Sequence, residues 1–359
     1  DLVADFIGVT LRHALTGKKM AHIDLLRAPA AGGFAVYSMH HIILFFGGKV
    51  NVFAYRFAFG AKYGTILPMA RHCTLCPLAC GADRTTRRGA CGGGALARVA
   101  KYGLHPFEEP CISCKNGSGT VFFGGCSLGC AFCQNYELSH GQAGNEVSAR
   151  ELSHIFAELE EMGAENINLV TASHYVPQLL EAFKLYRPKV PVVYNTHSYE
   201  KLPALRALDT FVDVWLPDLK FFDPKISARY TGKADYFAYA SAAVAFMAKR
   251  APQFAGEKMV SGCIVRHLVL PLCTGDSLAL IRWFTALRSP AYFSLMGQYT
   301  PCGEAERFPE LRRRITPREY KKVLSFLQES GIEHIFAQEL GSADERFIPD
   351  FSPDTKRLF

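Results

Sequence analysis

The chain has 359 residues and is 49% hydrophobic, enough for a large core in one barrel-sized unit or in two domains. Its formal charge of +7 comes from 40 basic against 33 acidic residues. The basic clusters at Arg84, Arg87 and Arg88 and at Arg312, Arg313 and Arg314 have no aromatics between them, which argues against a nucleic-acid partner.

Nine of the 12 cysteines crowd between Cys73 and Cys133, a pattern of metal binding in a reducing compartment rather than of a disulfide scaffold. No apolar run approaches the roughly 18 residues of a membrane span; the nearest, Ile42 to Phe46, is short and flanked by His40, His41 and Lys49. Asp1 to Arg12 lacks the basic start and apolar core of a signal peptide. A cytoplasmic protein without a membrane partner is expected.

Residues 1–70 carry no motif and read as an N-terminal extension, with a helix at Leu2 to Leu15, a strand at Val50 to Ala58, and Met20, Met39 and Met69 as alternative starts. A cysteine-rich leader follows over 71–118. There Cys73, Cys76, Cys80 and Cys91 stand at spacings that let four thiolates surround one centre, because Pro77, Gly81 and Gly89 to Gly94 supply turns. Zinc or a second iron-sulfur cluster fits that spacing, with reduced, unliganded thiols as the alternative. Cys111 and Cys114 follow, Cys114 reading as a free thiol.

The apolar run Thr120 to Phe123 then leads into Gly124-Gly125-Cys126-Ser127-Leu128-Gly129-Cys130-Ala131-Phe132-Cys133. Three thiolates on one short loop, bent at Gly129, can face a single iron-sulfur cluster, and three ligands leave one iron of a cubane open. The C-x3-C-x2-C spacing differs from ferredoxin runs and from zinc knuckles; the alternatives are buried thiols or a knuckle with a distant ligand.

From Thr120 onward strands and helices alternate. The strands are expected at Thr120 to Phe123, Ile167 to Thr171, Val190 to Asn195, Val212 to Leu216, Cys263 to Leu270 and Tyr292 to Met296. The helices are expected at Ser148 to Met162, capped by Ser148 and Glu151, and at Val176 to Tyr186, Tyr199 to Leu208, Tyr236 to Lys249, Asp276 to Leu287 and Thr316 to Ser330. A last apolar run covers Ile335 to Gln338. Continuously apolar strands alternating with helices imply a parallel sheet buried on both faces, with reactive groups where strands end. The strand ends are polar: Thr171-Ala172-Ser173-His174-Tyr175, Asn195-Thr196-His197, Asp218-Leu219-Lys220, and Gln298 to Cys302. Within the fifth strand, alternation puts Arg266 and His267 on opposite faces, so only one points inward.

The cysteine loop resembles that of radical S-adenosylmethionine (SAM) enzymes. The leader cysteines, Asp-Leu-Lys at 218–220, Arg-His-Leu-Val-Leu-Pro at 266–271, Gln298 to Cys302, Gln338-Glu339-Leu340 and Phe347 to Phe351 resemble a family related to pyruvate formate-lyase activating enzyme, over roughly residues 72–351. The resemblance implies a partial (β/α)6 TIM-like barrel over 119–340, followed by a tail over 341–359. It implies a [4Fe-4S] cluster on Cys126, Cys130 and Cys133, with SAM on the open iron and Phe132 near its adenine. Thr171, Ser173, Asn195, Thr196, Asp218, Lys220 and His267 are the other candidate cofactor contacts. The implied activity is reductive cleavage of SAM for hydrogen abstraction, with flavodoxin or ferredoxin as electron donor and a glycyl radical enzyme as candidate substrate. Three departures stand out: Cys114 where the family has a small residue, His197 where it has Ser-Gly, and no Gly-Gly-Glu run after the second strand. The reading from another class is an iron-sulfur electron-transfer or sensor protein without SAM turnover; a zinc-stabilised scaffold that binds a partner protein is a third.

Overall fold

The structure is a computed structural model describing residues 72–141 and 143–338, together with the backbone of two strands nearer the N-terminus. It divides into two units, 1–66 and 67–359. In the first, β1 (His40–Phe46) and β2 (Lys49–Tyr55) form an antiparallel hairpin. The expected strand at Val50 to Ala58 thus exists with different bounds, while the helix at Leu2 to Leu15 and the tail over 341–359 lie outside the described residues.

The second unit opens with the leader loops and then β3 (Ala97–His105), α1 (Pro110–Ser113), β4 (Ser118–Phe123), α2 (Tyr136–His140), β5 (Asn145–Val147) and α3 (Ala149–Glu161). There follow β6 (Ile167–Val170), α4 (Val176–Leu185), β7 (Val192–Thr196), α5 (Leu202–Leu208), β8 (Val214–Pro217), α6 (Pro224–Thr231) and α7 (Tyr236–Met247). The last elements are β9 (Gln253–Ala255), β10 (Lys258–Leu268), α8 (Thr274–Ala286), β11 (Tyr292–Met296), α9 (Pro317–Gln328) and β12 (Ile335–Ala337).

The strands form one sheet in the order β12-β11-β10-β8-β7-β6-β4-β3-β5, with β9 paired to β10. From β4 to β12 every neighbouring pair on that path is parallel. The fold is mixed α/β with a mainly parallel sheet. All six expected strands are present, and the run at Ile335 adds another.

Caps explain where several helices start. Ser148 with Glu151 and Thr316 with Glu319 each close a capping box, and Pro317 occupies the first turn of α9. α5 begins later than the expected Tyr199, because Tyr199 and Glu200 are held in the preceding loop: Tyr199 donates to Asp235 at 2.8 Å, and Glu200 accepts from Tyr194 at 2.9 Å and from Thr196.

Strand alternation divides the sheet into two faces. Val192, Tyr194, Trp215, Cys263, Val265, Phe293 and Leu295 point to the helix side and join the main core. Val193, Val214, Leu216 and Ile264 point the other way, where Cys111 and Ile112 of α1 cover them. Asn166 ties α1 down by donating to the Ile112 carbonyl at 2.7 Å.

The last part of the 71–118 stretch belongs to the sheet. β3 pairs antiparallel along β4 and with β5, and α1 fills the inner face. This strand was missed because residues 97–105 mix basic and apolar side chains: Arg98 and Lys101 alternate with Ala97, Val99 and Tyr102, yet both basic residues are buried.

Candidate active site

Above α1, the inner face of the sheet opens into a cavity of about 540 Å3, within the roughly 300–1,000 Å3 of small-molecule sites. Cys126, Cys130 and Cys133 line it together with Phe132, Thr171, Asn195, Thr196, His197, Asp218, Lys220 and Arg266. Apart from Arg266, on β10, these belong to the cysteine loop after β4 or to the C-terminal ends of β6, β7 and β8.

The loop is shaped by backbone constraints. Gly125 and Gly129 have φ of +90° and +67°, the left-handed region that side chains disfavour. A Cβ on Gly125 would stand 2.2 Å from the Cys91 carbonyl oxygen, so the loop needs glycine there to lie against the leader. On its other side Ala131 donates to the Tyr230 carbonyl at 2.9 Å, Glu304 donates its N–H to the Ala131 carbonyl at 2.6 Å, and the Cys302 thiol donates to the Phe132 carbonyl at 3.2 Å. Cys302 thus braces the loop and is not part of the cavity lining. Phe132 is packed edge-on by Phe221, Tyr230 and Tyr299.

Opposite the thiols lies a network of partly buried charges. The Arg266 guanidinium donates to Asp218 at 2.8 Å, to Glu108 at 3.0 Å and to the Asn195 side-chain oxygen at 2.7 Å. Asn195 in turn donates to Glu108 at 3.2 Å, and Lys220 pairs with Asp218 at 2.8 Å. Burial works against ionisation of Asp218, but Arg266 and Lys220 beside it hold its carboxyl below the ordinary range. Glu109 accepts from Ser294 at 2.8 Å, and burial pushes its carboxyl up, only partly countered by Arg266.

Of the expected contacts, the lining contains Phe132, Thr171, Asn195, Thr196, Asp218 and Lys220 but neither Ser173 nor His267. His267 has both ring nitrogens occupied, by the Leu219 carbonyl at 2.7 Å and Ser277 at 2.8 Å, and it packs on the helix side; Arg266 is the inward residue of the pair. Ser173 sits behind His197, its hydroxyl 3.2 Å from Nε2. Asn195 and Thr196 face the cavity with their polar groups engaged, Thr196 through Glu200 and the Ser198 N–H. Thr171 has φ +59° at the cavity rim, a conformation a β-branched residue rarely adopts.

His197 binds the loop to the strand ends. Its Nδ1 accepts from the Tyr199 N–H at 3.0 Å, which leaves the proton on Nε2, 3.2 Å from the hydroxyls of both Ser127 and Ser173. Burial pushes its pKa down to about 4, so the ring is neutral. Glu108 and Glu109 were not foreseen; they lie outside the strand-end pattern and reach the cavity from the turn between β3 and α1.

Whether the thiols suit an iron-sulfur cluster can be judged from their surroundings. Among the described residues no three or more His, Cys, Asp or Glu side chains are gathered tightly enough for a single ion, whereas a cubane distributes thiolates over separate irons. Burial raises all three thiol pKa values, Cys126 to about 11, while the Lys220 charge lowers each. Three thiols on one cavity wall, with the Lys220 ammonium partly offsetting the cost of burying each thiolate, fit an anionic metal cluster.

No protein-family model matches the chain. Over 280 residues it is 27% identical to uncharacterized protein MJ0674 of Methanocaldococcus jannaschii, covering 74% of this chain and 77% of that protein. Two structures of SuiB from Streptococcus suis, one bound to S-adenosylmethionine, align at TM-scores of 0.43 and 0.41 with 13% identity and cover 61% of this chain. This chain spans about half their length, 49% and 48%. Among the described residues no helix is long and apolar enough to cross a membrane.

Proposed function

We propose that the chain is a radical SAM enzyme, its parallel sheet a partial (β/α)6 TIM-like barrel. The observation that carries this reading is that Cys126, Cys130 and Cys133 line the same cavity as the Asp218–Lys220 pair, at the C-terminal ends of parallel strands. The three cysteines would hold a [4Fe-4S] cluster with one iron open to SAM. When bound, cluster and SAM supply one-electron cleavage of the sulfonium, yielding methionine and a 5′-deoxyadenosyl radical that abstracts hydrogen from substrate.

This chain's own residues bind, orient and exclude water. Lys220 offers an ammonium to the SAM carboxylate. Asp218 keeps that ammonium in place and is itself held by Arg266. Phe122, Phe123, Leu128, Phe132 and Val170 form apolar wall that keeps water from a reactive radical. His197 fixes Ser127, hence the loop, through a neutral ring. By the resemblance noted above, the hydrogen donor would be a backbone glycine of a glycyl radical enzyme, with flavodoxin or ferredoxin as reductant.

The test is anaerobic cluster reconstitution, then dithionite and SAM with 5′-deoxyadenosine measured by chromatography. Wild type should produce it, and the Cys126→Ala, Cys130→Ala, Cys133→Ala chain should not. A fully loaded cluster that yields none, and whose paramagnetic spectrum SAM leaves unchanged, would sink the proposal in favour of electron transfer.

A further inference from the structure

Behind the cysteine loop lies a second cavity of about 480 Å3, again of small-molecule size. Gly125, Cys126 and Leu128 line both cavities, so the loop is a wall they share. Of the leader cysteines Cys73, Cys76, Cys80 and Cys91, only Cys91 reaches the second cavity. Its basic lining is Arg88, Arg98, Lys233 and His140, and among the described residues no Asp or Glu joins them.

Arg98 sets the chemistry of this cavity. It is 3% exposed, and the Nε and Nη1 of its guanidinium have no hydrogen-bond partner among the described residues. Nor does it pair with a carboxylate there. Glu146 stands directly opposite it in the β3–β5 register, but that carboxylate is taken by Arg88 at 3.1 Å. Glycine leaves room for the guanidinium: a Cβ on Gly92, a lining residue with φ +80°, would stand 3.4 Å from Nη2. Lys233, just beyond the left-handed C-cap Gly232 of α6, is partly exposed and enters no ion pair among the described residues either. Desolvating a lone cation is costly, and an anion entering this cavity removes that cost.

We propose that this second cavity binds a phosphate group, free or esterified to a small molecule, with Arg98 as its buried anchor and Lys233 as its second contact. Two cations without a carboxylate match the charge of nearly two minus that a phosphate group carries near pH 7, and a guanidinium fits its oxygens in bidentate fashion. A carboxylate would bring only half that charge. The volume, larger than a single ion fills, favours the ester. The proposal stands whether or not the chain cleaves SAM, because neither Arg98 nor Lys233 lines the cavity of the three cysteines.

The experiment titrates the full chain, purified anaerobically, with inorganic phosphate and with glycerol 3-phosphate by calorimetry, chloride holding the ionic strength constant. Arg98→Met should weaken binding roughly tenfold or more, as for loss of a charged hydrogen bond, and Lys233→Ala roughly threefold, as for a partly exposed pair. Tighter binding of glycerol 3-phosphate identifies an ester site and equal affinity a site for the free ion; both support the proposal. Phosphate should also raise the Tm of wild type by mass action and leave that of Arg98→Met unmoved. Lys220→Met, in the other cavity, should bind as wild type does. Wild type that binds neither probe at millimolar concentration overturns the proposal, and so does binding that Lys220→Met loses and Arg98→Met keeps. Should Arg98→Met not fold by circular dichroism, Lys233→Ala decides, and an unchanged affinity there overturns the proposal.

Discussion

Arg84 is a buried guanidinium and Arg266 a largely buried one of the same compact unit, yet their surroundings differ in kind. Around Arg266 the chain itself supplies Asp218, Glu108 and Asn195 within 3.0 Å, and Lys220 completes the neutralisation of Asp218. Around Arg84, among the described residues, it supplies the carbonyls of Gly93 and His174 and the Tyr175 ring but no carboxylate. Parallel strand ends bring side chains of different strands to one level, so charges there meet partners encoded far away in sequence. The leader is a series of turns with no such levelling, and Arg84 there is held by backbone carbonyls and a ring face.

The comparison can be broken most severely at Arg266. Arg266→Leu removes the cation from two largely buried carboxylates, and chemical denaturation should show a loss of about 2–4 kcal/mol, below the full cost of breaking a wholly buried pair. A loss below about 1 kcal/mol, the range of an exposed ion pair, would mean that the network is solvated and does not differ from a surface cluster.

A subtler test uses Glu200, the buried carboxylate behind Thr196. Burial raises its pKa from the ordinary 4.5 to about 7, against the opposing effect of hydrogen bonds from Thr196 and Tyr194. A raised folded-state pKa contributes stability that is full below about 4.5 and is lost as pH rises through 7. Glu200→Gln cannot titrate, so its unfolding free energy relative to wild type should rise by up to about 3 kcal/mol between pH 4.5 and 8. A constant difference would show that Glu200 ionises normally in the folded state.

Lys220→Met separates ligand binding from folding at the same network. Arg266 still neutralises Asp218, so the fold should hold, while SAM affinity of the reconstituted chain, measured by equilibrium dialysis, falls roughly tenfold or more, as for loss of a charged hydrogen bond. Unchanged affinity would place the SAM carboxylate elsewhere.

The smallest expected effect lies outside both regions. Ser148→Ala removes the cap of α3 and should cost about 1 kcal/mol by thermal or chemical unfolding, with metal content untouched. It gives the baseline for a local defect, against which the Arg266 and Lys220 variants are to be judged.

Much of this molecule was legible in the order of its residues. Runs such as Ile167–Val170 and Val192–Thr196 are apolar enough to be central strands, caps at Ser148 and Thr316 are local hydrogen-bond chemistry, and the cysteine loop carries its glycine and its thiols within a few residues. Such signals are short-range, so a linear reading recovers them. What tertiary structure alone decided are the meetings between distant segments. That β3 belongs to the sheet depends on pairing with β4, and that α1 covers its inner face depends on Cys111 and Ile112 finding Val193 and Ile264. Alternation allowed either Arg266 or His267 to face inward; the packing of His267 against Ser277 of α8 settled it. Glu108 reached the cavity, and Arg84 and Arg98 were buried, because the chain folds back on itself. Burial and pairing are properties of the packed chain, and no spacing along the sequence states them.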